Sequence, residues 1–511
     1  MRDSGPASSS ATDGSAALNR AALVADLGSF WPLWLLIAAS IALRLYRLGE
    51  LPGLIGDEAW YGVQAQRLAS GTGGELRTPT GNVPGLFQLG SAILLHSVGP
   101  PSALLLRIPA LLSSLAAMAL AYAIGRRFFG PTAGMAALVI MACLPANLAY
   151  ARLGWDPSHA ALFILAATYA ALARRRLLAM LLFALAMANH PAAVFVAPFL
   201  ALVYGGAVFA IAPRRTAALE LGRFALLLAV AIVLITLLSP SASNYIAPAQ
   251  IAARLVDPSQ WISFAAGFLR LVAGDTTSIF IAGRALGPAS TISHAAVAFG
   301  LVGFAIAAAV TLVRRPDPLA AAICLGWCAS VILLFLVAGS WAMRPGLERF
   351  AIPLLPLTAL SAAVVVQRLG HRTIEQTVLA VIGIAGLVGF TFSILQPLVR
   401  GDSRRADAVW IGLPALNEQA LRLVARSAPR GKVVVVAEDW WIYWPLVYLA
   451  RTDRFAILSS DSGTSPNENA FWITYRGGEM DRVLASTGYW LAGTVISPDG
   501  TEALRIWRSP D

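Results

Sequence analysis

The sequence predicts a polytopic α-helical membrane protein of about eleven transmembrane helices, followed by a small C-terminal α/β domain. Three observations predict this. Long apolar runs recur up to about residue 397. Charged residues make up only 13% of the 511-residue chain, where a soluble domain carries about 25%. The arginines gather at the ends of the runs, as Arg126-Arg127, Arg174-Arg175-Arg176, Arg214-Arg215 and Arg314-Arg315. The chain is 58% hydrophobic, with a mean hydropathy of +0.69. Its net charge of +11 does not indicate nucleic acid, because this placement is the positive-inside pattern of cytoplasmic loops.

Residues 1–28 are rich in Ser, Ala and Gly and read as a disordered cytoplasmic tail. No small-residue cleavage site follows the first apolar run, which therefore reads as a retained anchor. A helix of about 20 apolar residues crosses a bilayer. That rule places spans near 30–47, 102–125, 131–150, 158–173, 177–189, 191–211, 222–240, 294–313, 318–338, 349–366 and 377–397. Pro191 separates the fifth from the sixth. With the N-terminus inside and the spans alternating, every arginine cluster named above falls inside, as does the stretch Gln367 to Arg372. Arg44 and Arg47 fall outside, where they can face lipid phosphates or a substrate phosphate. Residues 29–397 thus form a transmembrane module with external loops at 48–101 and 241–293. Residues 398–511 are external, and the polar residues that the charge rule leaves unexplained lie mostly on that side.

The C-terminal segment changes character. Residues 432–437 are a buried-strand run, 441–450 a helix, and 454–458, 470–475, 493–496 and 503–507 further strands. This domain has no Gly-x-Gly-x-x-Gly, nucleophile elbow or metal-ligand cluster. It also has no cysteine, so no disulfide supports it. Cys143, Cys324 and Cys328 lie in apolar runs and read as small core residues.

The candidate chemistry begins at Gly56-Asp57-Glu58-Ala59-Trp60-Tyr61, just beyond the first span. A charge at the bilayer centre costs about 2.5–3.5 kcal/mol, so these carboxylates belong at the interface. There they can accept a proton, hold a cation or cap a helix. Arg152-Leu153-Gly154-Trp155-Asp156-Pro157 brings a second acid beside an arginine to the same face; an exposed Arg–Asp pair would stabilise little. Glu348-Arg349-Phe350, followed by Pro353-Leu354-Leu355-Pro356, sets Arg349 at the outer edge of the tenth span. Such an arginine suits a lipid-linked phosphate or anchors a head group. His159 follows Asp156 closely and is a hydrogen-bond donor for substrate or a structural histidine. Trp155, Trp261 and Trp341 read as an interfacial aromatic belt.

Together with Arg44-Leu45-Tyr46-Arg47-Leu48-Gly49, these motifs resemble the GT-C glycosyltransferases. The nearest branch holds the protein O-mannosyltransferases and lipid A aminoarabinose transferases. The resemblance covers essentially the whole chain in layout. It implies a GT-C fold in a plasma (bacterial inner) membrane, with the C-terminal domain external or periplasmic. It implies a polyprenyl-phosphate sugar donor, an acceptor that is an envelope lipid, glycan or protein, and transfer with inversion. It makes Asp57 the general base with Glu58 in support, Asp156 a second acid, and Arg349 a phosphate ligand. Arg152, Tyr61 and His159 join these as substrate-binding candidates. Members of the family often carry Lys-Pro-Pro in the first loop, where this chain has Gly81-Asn82-Val83-Pro84-Gly85-Leu86; Arg77 is the candidate replacement for the lysine. With a monophosphate leaving group, arginine suffices, so no obligatory cofactor is expected, and a divalent metal stays open. The rival readings are a secondary transporter and a membrane scaffold with a partner-binding external domain. No internal repeat supports the first, and the acidic loop and arginines speak against the second.

Overall fold

The first apolar run forms helix α1, Trp31–Leu45, with a proline in its first turn, where the missing N–H leaves no bond unmade. The computed structural model describes residues 30–76, 78, 86–97, 99–237, 248–283, 317–400, 414–428, 430–450, 453–460 and 470–509. After α1 the chain forms α2, Gly56–Ala69, and α3, Leu86–His96. It returns as α4, Ala103–Phe128, capped by the Ser102 side chain, which accepts from Leu105 N–H.

Prolines then divide the runs more finely than hydropathy indicates. The 131–150 run is α5, Pro131–Cys143, and α6, Pro145–Tyr150, because Pro145 supplies no N–H to continue α5. A tight turn at Asp156–His159 leads into α7, Ala160–Leu172. Helix α8 is Arg176–Asn189, and a second tight turn, Pro191–Val196, opens α9, Ala197–Phe209. The next helix, α10, is Arg214–Leu237 and starts before the expected span, since its arginine-bearing first turns are helical but not apolar. Helices α11, Pro248–Val256, α12, Pro258–Ala273, and α13, Asp275–Ala282, occupy the second loop. α12 and α13 bend by 67° at Gly274, whose φ of +88° glycine adopts without strain. The expected span at 294–313 lies outside the described residues. α14, Pro318–Ala338, is followed by short 3₁₀ turns at Gly339–Met343, Glu348–Phe350 and Ile352–Leu354. Then come α15, Leu355–Gln367, α16, Arg372–Phe390, and α17, Gln396–Val399.

Among the described residues, 6 helices are long and apolar enough to cross a membrane, or 7 if the bent α12–α13 pair is one span. α1, α5, α8 and residues 87–96 are apolar but shorter. The shortfall against about eleven spans comes largely from runs cut below the length of about 20 residues by prolines and tight turns. α10 is apolar yet mostly exposed, with Leu226, Val233, Leu234 and Leu237 on the surface. Such a face is stable against lipid rather than water.

Polar contacts tie together the helix ends that carry arginines. Arg127 donates to Tyr169 Oη, Arg176 to Glu220 at 2.8 Å, and Arg368 to Asp317, while Gln367 accepts from Ala133 N–H at 2.9 Å. Arg44 does not face a phosphate. It is buried and donates to the carbonyls of Ala142 at 2.8 Å and Met141 at 3.3 Å, at the C-terminus of α5. Those carbonyls lack helical partners and carry the negative end of the helix dipole. Arg47 is exposed and pairs with Glu50.

The C-terminal segment holds α18, Pro414–Ser427, then β1, Val433–Ala437, α19, Trp440–Leu449, β2, Phe455–Ser459, β3, Ala470–Tyr475, α20, Glu479–Ser486, β4, Trp490–Ile496, and β5, Glu502–Arg508. The strands form one 5-stranded sheet in the order β2-β1-β3-β5-β4. β1 lies parallel to β2 and β3, with Val434 opposite Ala456 and Ala470. β5 is antiparallel to β3 and β4. A core including Val435, Ile442, Leu446, Ile473 and Ile506 lies between the sheet, α18 and α19.

Candidate active site

Helix α19 docks the C-terminal domain onto α2, and two glycines on α2 let it approach. A Cβ on Gly56 would stand 2.6 Å from the Trp440 ring, and one on Gly62 would stand 2.4 Å from the Tyr448 ring. Tyr448 Oη accepts from Ser102 N–H at 3.0 Å and bonds His96 Nε2 at 2.8 Å, fixing α19 to the end of α3 and the start of α4. The docking delivers Trp440 to Asp57: Trp440 Nε1 donates to Asp57 Oδ1 at 3.2 Å. From the turn that precedes α15, Arg349 Nη1 donates to the other carboxylate oxygen, also at 3.2 Å. Asp57 and Arg349 keep 15% and 23% of their side-chain surface accessible, so the pair is reachable although enclosed.

Asp156 completes the group. Its carboxylate lies 3.8 Å from His190 Nε2, and Asn189 Nδ2 donates to its backbone carbonyl at 2.5 Å. Burial pushes the Asp156 carboxyl up to about 7; Arg349 opposes the rise and the charge of Asp57 adds to it. Asp57 is also raised by burial, which outweighs the pull of Arg349 and the Trp440 hydrogen bond. Burial, with Arg349 nearby, pushes His190 down to about 3, so its contact with Asp156 joins a neutral imidazole to the acid. The guanidinium carbon of Arg349 lies 5.8 Å from the centre of the Trp155 ring and 5.6 Å from that of Phe350. These faces favour a cation. Trp155 is not an interfacial belt residue: it is buried and stacks between Tyr150 and Phe280 at 5.6 and 5.9 Å.

Of the candidates from sequence, the structure gathers Asp57, Asp156, Arg349 and Tyr61. Tyr61 Oη lies against Asp156 without closing a hydrogen bond. Three others point elsewhere. Glu58 is fully buried and takes Arg107 Nε and Nη2 at 2.8 and 2.9 Å and Gly154 N–H at 2.7 Å. Gly154 is glycine because a Cβ there would stand 2.3 Å from the Leu106 carbonyl. Arg152 donates to the carbonyls of Leu43, Arg44, Tyr46 and Leu51, holding the exit of α1. His159 is buried between Ser113 Oγ at 2.8 Å and Gln88 Oε1 at 2.7 Å. Arg77 and the 81–85 part of the first-loop motif lie outside the described residues. These geometries make Glu58, Arg152 and His159 structural ties between elements.

Sequence reading missed Trp440, Tyr150, His190 and Glu348 as parts of one site. The signals in the sequence were an acid, Glu348, at the very start of an apolar run and a histidine, His190, at the boundary between two others. Around Arg349, Tyr61 Oη, Tyr150 Oη, Trp155 Nε1, Asn189 Oδ1, His190 Nδ1 and both Glu348 carboxylate oxygens are buried and close no hydrogen bond among the described residues. Each such group costs about 1–3 kcal/mol. A site of this kind offers one basic carboxylate, one fixed positive charge and many hydrogen-bonding groups to a polar ligand. Among the described residues, no three His, Cys, Asp or Glu side chains gather closely enough to hold a metal ion.

The chain has a polytopic membrane fold of the GT-C type with a C-terminal sheet domain, as the motif resemblance implied. A solved structure with this fold is ArnT from Cupriavidus metallidurans, crystallised bound to undecaprenyl phosphate. The match covers 93% of this chain and 97% of that one, with a TM-score of 0.54 and 14% identity. At that identity the likeness is one of fold. No family model matches the sequence, and no curated protein matches it significantly.

Proposed function

We propose that the chain is an inverting glycosyltransferase that moves a sugar from a polyprenyl-phosphate carrier to a hydroxyl acceptor at the outer face of the membrane. The carrying observation is the Asp57–Arg349 contact at 3.2 Å, which joins a carboxylate after the first span to an arginine at the start of a late one. The shared fold supports the same reading, since ArnT was crystallised with undecaprenyl phosphate.

In the proposed reaction the acceptor oxygen bonds to the anomeric carbon as the bond from that carbon to the phosphate oxygen breaks. The electron pair leaves with the phosphate, and the acceptor proton passes to the Asp57 carboxylate. The products are the glycosylated acceptor and free polyprenyl phosphate. Arg349 stabilises the charge that grows on the phosphate, through a charge-assisted hydrogen bond in an enclosed site. In drawing Arg349 toward itself, the donor phosphate weakens the arginine's hold on Asp57 and leaves that carboxylate more basic. Asp156 assists from the same face. No metal has a step in this scheme.

Purified protein in lipid nanodiscs should transfer or release sugar from at least one member of a panel of undecaprenyl-phosphate sugars. Asp57→Asn keeps size and an acceptor for Trp440 but removes the base, worth about 10²- to 10⁴-fold. Turnover should fall by about 10² or more, with donor binding retained. Asp57 caps no backbone N–H of its helix, whose N-cap is Ile55, so near-normal turnover would mean that its carboxylate serves only to hold Trp440 and Arg349.

A further inference from the structure

Glu348 has no role in the chemistry above, yet it is the most anomalous side chain near it. It is 0% exposed, and among the described residues neither carboxylate oxygen closes a hydrogen bond. It begins the 3₁₀ turn that also presents Arg349. Tyr150 Oη and the backbone N–H groups of Gly346 and of Glu348 itself lie near the carboxylate without closing a hydrogen bond, and Tyr150 Oη is buried too. The Tyr150 ring is stacked on Trp155, whose Nε1 is also buried and unpartnered.

We infer that Glu348, Tyr150 and Trp155 form the subsite that recognises the hydroxyl groups of the transferred sugar ring. The inference rests on the glycosyl-transfer reading above. The set is chemically mixed: the carboxylate oxygens accept, the indole N–H donates, and the phenol does both. A sugar hydroxyl also does both, so neighbouring hydroxyls on one ring can satisfy all of these atoms together. A cationic ligand would need acceptors only and would lie close to the Arg349 charge, which repels it. An apolar ligand would leave every one of these groups unpaired. Arg349, the next residue along the chain, would then hold the phosphate while Glu348 reads the sugar.

This subsite predicts an unusual pairing of effects. A residue kept for the fold lowers stability when it is truncated, whereas removing an unpartnered buried polar group is neutral or stabilising. Tyr150→Phe and Glu348→Leu should therefore unfold at the same temperature as the unaltered protein or higher. The probes are bare undecaprenyl phosphate and a panel of its neutral-hexose, pentose and amino-sugar derivatives, titrated into the full chain in nanodiscs. For the neutral glycosylated lipid that the unaltered protein prefers, Glu348→Leu should weaken binding about tenfold or more and Tyr150→Phe about three- to tenfold. Binding of the bare lipid phosphate should stay within about twofold, and Arg349→Ala should weaken both. Retained sugar preference in both variants, or equal weakening toward bare and glycosylated lipid, would overturn the subsite and leave the transferase reading standing. A preference for the amino sugar that vanishes in Glu348→Leu would overturn the hydroxyl assignment. Failure of the unaltered protein to bind any of these lipids would overturn the transferase reading and the subsite with it.

Discussion

Asp57 receives one hydrogen bond from Trp440, a residue 383 positions away, and one from Arg349, 292 positions away. The arginine's planar fork matters if it must leave the carboxylate for a phosphate, since a lysine ammonium is a compact point charge with different reach. Arg349→Lys should retain part of the transfer activity and Arg349→Ala should lose more, with the deficit appearing mainly in use of the lipid-phosphate donor. Folded variants that both work normally would remove Arg349 from the site. The pH dependence follows from the two acids. Asp156 is raised to about 7 and Asp57 is raised too, and the ionised base is the active form. Activity should therefore rise with pH across the range in which this coupled pair of raised carboxyls ionises, above that of an ordinary aspartate. In Asp156→Asn the like charge beside Asp57 is gone, which favours its ionised form. The acid limb of the remaining activity should move to lower pH, and a limb that moves upward would contradict the coupling. At this scale the sequence was informative where a charge stood at the edge of an apolar run, because that position is costly without a use. It could not separate Asp57 from Glu58. Neighbouring helical side chains diverge by about 100°, and only the packed structure tells which one meets the core.

Glu58 shows the same limit at the scale of the element. Its carboxylate joins α2 to Arg107 on α4 and to the loop at Gly154, with both partners of the ion pair 0% exposed. Arg107 also donates to the carbonyls of Leu48, Pro52 and Gly53, so the pair sets the path from α1 to α2. Neutralising one partner of a buried pair typically costs about 3–5 kcal/mol. Glu58→Gln should therefore lower thermal stability in detergent far more than Asp57→Asn does. Equal melting temperatures for the two variants would contradict a structural role for Glu58. Helix and strand positions were largely legible, since a 3.6-residue apolar face and a run of valines leave periodic traces. The breaks at Pro145 and Pro191 were only partly so: Pro191 was read as a boundary, while Pro145 was absorbed into an uninterrupted span. Arg152 left no trace at all, because its partners are backbone carbonyls about 100 residues away in sequence, and carbonyls are present at every position.

For the whole molecule, the contacts that tie the arginine-bearing helix ends together lie among groups distinct from those of the site. The topology proposed from the positive-inside rule has the site and the sheet domain on the outer side. Cysteines introduced at Gly74 and Ser462 should react with a membrane-impermeant maleimide in intact cells. Labelling only after permeabilisation would reverse the topology and the side on which the acceptor must be sought. The sheet domain was legible as a set of strands but not as part of the site. Nothing in the composition of 440–449 distinguishes a helix that packs within its own domain from one that also reaches the base.

The contact between Trp440 and Asp57 also bears on how such a chain can be recombined. The indole that touches Asp57 belongs to one half of the polypeptide, and the glycine that makes room for it, Gly56, belongs to the other. Tyr448 and Gly62 repeat the arrangement two helical turns along. A chimera that grafts a foreign C-terminal domain onto this bundle would inherit an active site missing one of its walls, unless the donor domain brought aromatic rings of matching reach. The two halves share this contact, so a larger residue at Gly56 or Gly62 should be tolerated only with a smaller ring at Trp440 or Tyr448.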